Sequence, residues 1–138
     1  MQITRQADYA VRAVLYLAEQ EANGRAPTSR IAQEMRIPPS FLAKIVSQLS
    51  VAGVVQTSRG ARGGVSLARE PKDITLLEVI EAIDGPITLN ECVPDRSACV
   101  FGADCPVHDI WCDTQAKLVE QLGKSNFGAL PHRTARPS

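Results

Sequence analysis

The sequence of 138 residues predicts a mainly α-helical fold with one two-stranded hairpin, and three observations lead to this expectation. Apolar residues recur with helical spacing in five separate segments. Only residues 54–69, "VVQTSRGARGGVSLAR", combine two β-rich segments with a glycine-containing loop between them. The hydrophobic content of 44% is enough to build the core of one ordinary domain, or of a small domain with an appendage.

The first three helices are expected before Gly53. The first covers about residues 5–19 and ends at "EANGR". Thr28 is suited to cap a short second helix. The segment "RIPPS" then predicts a tight turn, because a residue before proline avoids the helical region whereas proline suits the first helical position. A third helix follows and ends at Gly53; its inward-facing residues are expected to be Leu42, Ile45, Val46 and Leu49.

Two short helices followed by a hairpin predict a winged helix-turn-helix, a DNA-binding fold. In this fold the second short helix enters the major groove, and the hairpin, or wing, contacts the DNA backbone or the minor groove. The outer face of that helix would present Ser40, Lys44 and Ser47 to DNA. Arg59 and Arg62 lie in the glycine-containing wing loop and could enter a narrow groove. In the alternative interpretation the glycines only form a turn and both arginines are solvated.

The charge distribution agrees with a DNA-binding first half. The net charge is zero, but residues 1–70 carry nine Lys/Arg and five Asp/Glu, whereas residues 71–138 carry six and ten. The most apolar N-terminal stretch, "YAVRAVLYLA", is short and contains Arg12, so it predicts a buried helix face rather than a signal peptide or a membrane span. These features favour a cytoplasmic protein.

The second half is expected to add two helices. Thr75 is a suitable N-cap with Glu78 three residues later, and Gly85 ends this helix, which should pack against the DNA-binding domain. The packing face is expected to consist of Leu77, Ile80 and Ile83. A last helix is predicted from about Val107 to Leu122. Its apolar stripe would be exposed on a lone helix, so we expect a homodimer whose partner covers the stripe of Trp111, Leu118 and Leu122.

The expected organisation therefore has four parts. They are a winged helix-turn-helix domain at 1–85, a cysteine-rich cluster-binding loop at 86–106, a dimerisation helix with its following segment at 107–130, and a disordered tail at 131–138 in which His132 has no role.

The four cysteines are concentrated in one segment, with six, five and six residues between Cys92, Cys99, Cys105 and Cys112. A structural zinc module prefers a closely spaced pair, and this segment has none. Longer intervals suit an iron–sulfur cluster, although zinc or a metal-free thiol switch also fits the residues. A thiol oxidoreductase is disfavoured because no C-x-x-C pair is present.

Four segments of the chain are typical of one known family, namely "MQITRQADYAVRAVLYLA", "IPPSFLAKIVSQLSVAGVVQTSRGARGGVSLA", "ITLLEVIEAIDG" and "CPVHDIW". Through these segments the chain resembles the Rrf2 family of bacterial winged-helix transcriptional regulators. The resemblance implies that Cys92, Cys99 and Cys105 bind an iron–sulfur cluster near a dimer interface and that the cluster state sets the affinity for a promoter operator. The first cysteine interval has six residues where IscR-like and NsrR-like members usually have five.

Two residues compete as the fourth ligand by this resemblance. IscR-like members use a histidine three residues after the last cysteine, which corresponds to His108, and NsrR-like members use an aspartate in the first helix, which corresponds to Asp8. His108 could instead be a capping or core residue, and Asp8 could instead pair with Arg12. Cys112 lies outside the three-cysteine pattern and is expected to be a small buried helix residue. The cluster type, with two or four irons, and the physiological signal, such as redox stress or nitric oxide, stay undecided.

Overall fold

The computed structural model describes residues 2–20, 24–60, 63–89, 93 and 106–130. These residues form five α-helices, a short 3-10 turn and one antiparallel sheet, so the predicted mainly α fold with a two-stranded wing is confirmed. No helix in the described ranges is long and apolar enough to cross a membrane. In chain order the elements are α1 (Arg5–Ala18), α2 (Thr28–Met35), α3 (Pro39–Val51), β1 (Val55–Ser58), β2 (Gly64–Leu67), the 3-10 turn (Pro71–Asp73), α4 (Leu76–Asp84) and α5 (His108–Lys124).

The main core lies between α1, α2, α3 and α4. Helix α1 begins after Thr4, whose Oγ1 accepts a hydrogen bond of 3.1 Å from the backbone N–H of Ala7. Helix α3 contributes the face that its apolar spacing predicts, and β1 and β2 add one edge to the core. The largest fully buried side chains are Phe127, Ile31, Leu42, Ile45, Leu49, Ile74, Val14, Val54 and Val79.

The start of α2 differs from the sequence prediction by one residue. Pro27 is the N-cap, in an extended conformation, and Thr28 is already helical without a side-chain capping bond. The carbonyl oxygen of Pro27 accepts from the N–H groups of Arg30 and Ile31 at 3.0 and 3.2 Å. The prediction that Thr28 caps this helix is therefore wrong, because the preceding proline already holds the extended backbone that a cap position requires.

Helix α4 has the predicted ends but a different buried face. Thr75 Oγ1 accepts from the N–H of Glu78 at 3.1 Å, and Gly85 follows the last helical residue. Val79, which the sequence analysis missed, is fully buried, and Ile80 is 4% exposed. The other two predicted packing residues are only half-buried; they are Leu77 and Ile83.

Helix α5 packs along α4, so the expectation that its whole stripe is uncovered within one chain is wrong. Leu118 and Leu122 are half-buried against a second cluster formed by Ala7, Ile80 and Ile87, whereas Trp111 is 37% exposed. The physical reason is that α4 offers a second apolar side, facing away from the main core, on which the C-terminal half of α5 can pack.

The chain after α5 returns to the segment around the start of α4. The N–H of Leu76 donates to the carbonyl of Ser125 at 2.7 Å, and the N–H of Phe127 donates to that of Ile74 at 3.0 Å. The side chain of Phe127 is 2% exposed and belongs to the main core. The predicted tail at 131–138, including His132, lies outside the described residues.

Candidate functional site

Helix α3 presents the predicted outer face. Ser40, Lys44 and Ser47 are exposed, and the opposite face of the helix is buried in the main core. Lys44 makes no ion pair with any described residue, so its charge is available to a polyanion. The outer face of α3 therefore has the position and the polar side chains of a recognition helix.

The turn between α2 and α3 is tight and well anchored. Arg36 is the C-cap of α2 in the left-handed conformation, with φ 56°, and the N–H of Ile37 donates to the carbonyl of Ala32 at 2.9 Å. Pro39 occupies the first turn of α3, as predicted from "RIPPS". The Arg12 guanidinium of α1 donates to the carbonyl of Met35 at 3.3 Å. These contacts fix the orientation of α3 relative to α1 and α2.

The wing is attached to the start of α2. β1 and β2 pair from Val55 with Leu67 to Ser58 with Gly64. Ala26 and Val65 exchange two backbone hydrogen bonds of 3.0 and 2.8 Å, which join the wing to the residue just before Pro27. The wing and the recognition helix are thus parts of one packed unit.

The wing loop requires a residue without a side chain at its base. A Cβ atom at Gly63 would lie 2.3 Å from the carbonyl oxygen of Ser58, so only glycine fits there. Arg59 is exposed and makes no ion pair with a described residue. Arg62, the second predicted wing residue, lies outside the described residues.

The cysteine segment is described at its two ends and at Val93, and Cys92, Cys99 and Cys105 lie outside the described residues. On one side Ile87 is 6% exposed, and the N–H of Leu89 donates to Oε1 of Gln115 in α5 at 2.9 Å. On the other side α5 begins at His108, three residues after Cys105. Both ends of the segment are therefore held at the N-terminal half of α5.

His108 is the buried residue of α5 and is only 5% exposed. Its Nε2 lies 3.4 Å from Sγ of Cys112, one helical turn further on. Its Nδ1 is buried and has no hydrogen-bond partner among the described residues. The interpretation of His108 as a buried residue near the start of α5 thus agrees with its position, but one ring nitrogen is left for a further ligand.

Asp8, the other candidate ligand, lies on the surface of α1. Its carboxylate pairs with Arg12 at 2.8 Å, and both side chains are substantially exposed. The Arg12 guanidinium also lies 5.3 Å from the centre of the Tyr9 ring. Within the described part of the chain, no three His, Cys, Asp or Glu side chains come together as a metal site.

The N-terminal end of α5 carries an exposed apolar patch, formed by Val107, Ile110 and Trp111. These side chains are 41%, 58% and 37% exposed, respectively. The patch directly follows the cysteine segment and continues the line of Leu118 and Leu122 beyond the part of α5 that α4 covers. An exposed apolar patch of this kind is typical of a protein–protein contact.

Known proteins similar to this chain are transcriptional regulators. A family model described as "Rrf2: Iron-dependent Transcriptional regulator" matches residues 3–133. The HTH-type transcriptional regulator NsrR of Shouchella clausii is 29% identical over 123 residues, which cover 88% of this chain and 83% of that protein. IscR of Vibrio atlanticus is 32% identical over 130 residues, covering 94% and 75%. The solved structure of CymR, described as the global cysteine regulator of B. subtilis, has a TM-score of 0.79 and 27% identity, covering 92% of this chain and 93% of that chain.

Proposed function

The chain belongs to the Rrf2 family of transcriptional regulators, and from this premise we propose that it is a cytoplasmic homodimer that binds palindromic promoter DNA and senses an iron–sulfur cluster. Membership of this family is what the sequence motifs predict. The similar proteins are regulators rather than enzymes, which agrees with the absence of a C-x-x-C pair from the sequence. The proposal therefore concerns the signal, the ligands of the cluster and the assembly.

The observation that carries the cluster proposal is the buried Nδ1 of His108. A buried polar atom without a partner costs about 1–3 kcal/mol, so such an atom is normally satisfied. A metal ion held by the neighbouring cysteine segment would satisfy it. The residues that would hold the cluster are Cys92, Cys99, Cys105 and His108. When bound, the cluster would supply a redox-active group, and its presence or oxidation state would change the affinity of the protein for DNA.

Asp8 is the second candidate for the fourth position. In this case the metal would share the Asp8 carboxylate with Arg12, whose guanidinium lies 2.8 Å from Oδ2. Because Arg12 also donates to the carbonyl of Met35, which lies just before the turn between α2 and α3, the ion pair would connect the cluster to the base of α3. We favour His108, since it is buried and lies three residues from Cys105 in the same chain.

In DNA binding, the exposed face of α3 would recognise the base sequence, and the wing would add affinity. Ser40, Lys44 and Ser47 would contact base edges and neighbouring phosphates in the major groove. Arg59 and Arg62 would contact the DNA backbone or the minor groove. A homodimer formed through the exposed patch of α5 would place two such units on the two halves of a palindromic operator.

The test compares His108→Ala with Asp8→Ala in protein purified without oxygen. Brown wild-type protein whose visible absorption is bleached by oxygen or chelators supports the cluster. A changed spectrum in His108→Ala alone assigns the fourth ligand to His108, and a change in Asp8→Ala alone assigns it to Asp8. If neither variant changes, both assignments are wrong, and solvent or a small thiol completes the site. Colourless protein with stoichiometric zinc would instead support a structural zinc site.

A metal-free thiol switch is the second candidate function, and the similarity to CymR, described as a global cysteine regulator, favours it. In this case the cysteines would change affinity for DNA by oxidation alone. Colourless, metal-free protein whose operator binding changes reversibly with a thiol reductant would support the switch and contradict the cluster.

A further inference from the structure

We propose that Cys112 is a positioning residue whose sulfur accepts a hydrogen bond from Nε2–H of His108 and thereby leaves Nδ1 as the nitrogen that binds the metal. This inference rests on the proposed function, because it concerns the residue proposed as the fourth ligand. Cys112 stands outside the three-cysteine pattern, so no role as a cluster ligand is assigned to it.

The geometry places both side chains on one face of α5. His108 and Cys112 are four residues apart, which brings their side chains together on a helix. Nε2 and Sγ are 3.4 Å apart, a distance suited to a hydrogen bond that involves sulfur. Cys112 is half-buried and bonded to no other cysteine, so its sulfur is free to take part in this contact.

The contact determines which imidazole nitrogen keeps a lone pair. A neutral imidazole carries one proton, and the hydrogen bond made by one nitrogen sets the role of the other. When Nε2–H donates to Sγ, Nδ1 holds a lone pair and can bind a metal. When the thiol donates to Nε2 instead, Nδ1 carries the proton, cannot bind a metal, and is a buried donor without a partner among the described residues.

Metal binding through Nδ1 therefore requires the arrangement in which Cys112 is the acceptor, and the proposed contact provides it before the metal binds. Partners that hold the second nitrogen of a metal-bound histidine typically change metal affinity by about 10–100-fold when they are removed. Loss of the Cys112 sulfur should free the His108 ring to rotate and to exchange tautomers, while all proposed ligands stay in place. The cluster should then form but be held less firmly.

The experiment uses the full chain with Cys112→Ala, Cys112→Ser and, as a matched control, Thr114→Ala at an exposed position of the same helix. In the cluster-loaded protein, histidine labelled with ¹⁵N at Nδ1 should show direct coupling to the paramagnetic cluster. Chelator-driven cluster loss should be about tenfold faster in Cys112→Ala than in Thr114→Ala. Cys112→Ser, whose hydroxyl can also accept, should lie between them.

Three results would overturn the positioning role. They are coupling of the cluster to Nε2 in the wild type, equal rates of cluster loss in Cys112→Ala and Thr114→Ala, and complete absence of a cluster from folded Cys112→Ala, which would make Cys112 a ligand. The ¹⁵N spectrum of reduced, cluster-free protein provides a separate reading. It should show the Nε2–H tautomer in the wild type and a mixture in Cys112→Ala, so it tests the contact even if the cluster proposal fails.

Discussion

Helices α3 and α5 are stabilised in different ways. In α3, four of 13 residues are buried, and all four face the main core. In α5, which has 17 residues, the buried residue is His108, and the aliphatic residues toward its C-terminal end are half-buried against α4. Helix α3 is thus held by its own chain, whereas the N-terminal end of α5 has an exposed apolar patch and a buried ring nitrogen without a hydrogen-bond partner among the described residues.

This difference agrees with the proposed division between DNA recognition by α3 and sensing by the segment before α5. A DNA-binding helix must keep its direction, and a fully packed face provides that rigidity. A sensing segment must respond to a ligand, so part of its stabilisation has to come from the ligand or the partner subunit. The exposed patch at Val107, Ile110 and Trp111 and the buried His108 lie at the end of α5 where the cysteine segment joins it.

The largest expected effect is loss of the cluster. Cys92→Ala, Cys99→Ala and Cys105→Ala should each abolish the visible absorption of anaerobically purified protein, because each thiolate is a charged ligand. Cys112→Ala should retain it. The far-ultraviolet circular dichroism of all four variants should stay close to wild type, since α3 packs without these residues. Full absorption in any one of the first three variants would remove that cysteine from the ligand set.

The second effect concerns assembly. Ile110→Glu, at a side chain that is 58% exposed, should give monomers by sedimentation without loss of fold. Operator affinity should fall by about 10²–10⁴-fold, because two linked half-sites bind much more tightly than one. Leu118→Glu, which the sequence alone suggests, is a poorer test because Leu118 also packs inside its own chain. Dimeric Ile110→Glu protein would place the dimer contact elsewhere.

The third effect compares the two helices directly by unfolding in urea. Leu49→Ala removes a side chain that is 1% exposed in α3 and should cost about 2–5 kcal/mol. Leu118→Ala, at a half-buried side chain of α5, should cost about 1 kcal/mol. Equal losses would break the contrast and indicate that a partner subunit completes the burial of Leu118.

The smallest effect separates the two elements that are proposed to contact DNA. Arg59→Ala should reduce the slope of log affinity against log salt by about one, with little change in sequence preference. Lys44→Ala should instead alter the preferred bases, since base contacts are worth about 1–3 kcal/mol of discrimination. Wild-type salt dependence in Arg59→Ala would show that this part of the wing does not contact DNA.

The sequence predicted α3 and the wing well because their signals are local. Apolar spacing, prolines and glycines act within a few residues, and the four buried residues of α3 are those expected from spacing alone. The same logic was wrong at Thr28, where the preceding proline took the cap position. The His108–Cys112 contact has a local signal too, since the two residues lie four positions apart on a predicted helix.

By itself, the sequence determined the helix-turn-helix, the wing, the family and the set of candidate ligands, since these depend on short-range patterns of residue type. The tertiary structure alone decided which sides of the helices meet. It buried Phe127 from beyond α5 in the main core, buried Val79 of α4, and covered Leu118 but left Ile110 exposed. The physical reason is that burial depends on neighbours distant in sequence, and an apolar stripe does not specify whether its own chain or a partner covers it.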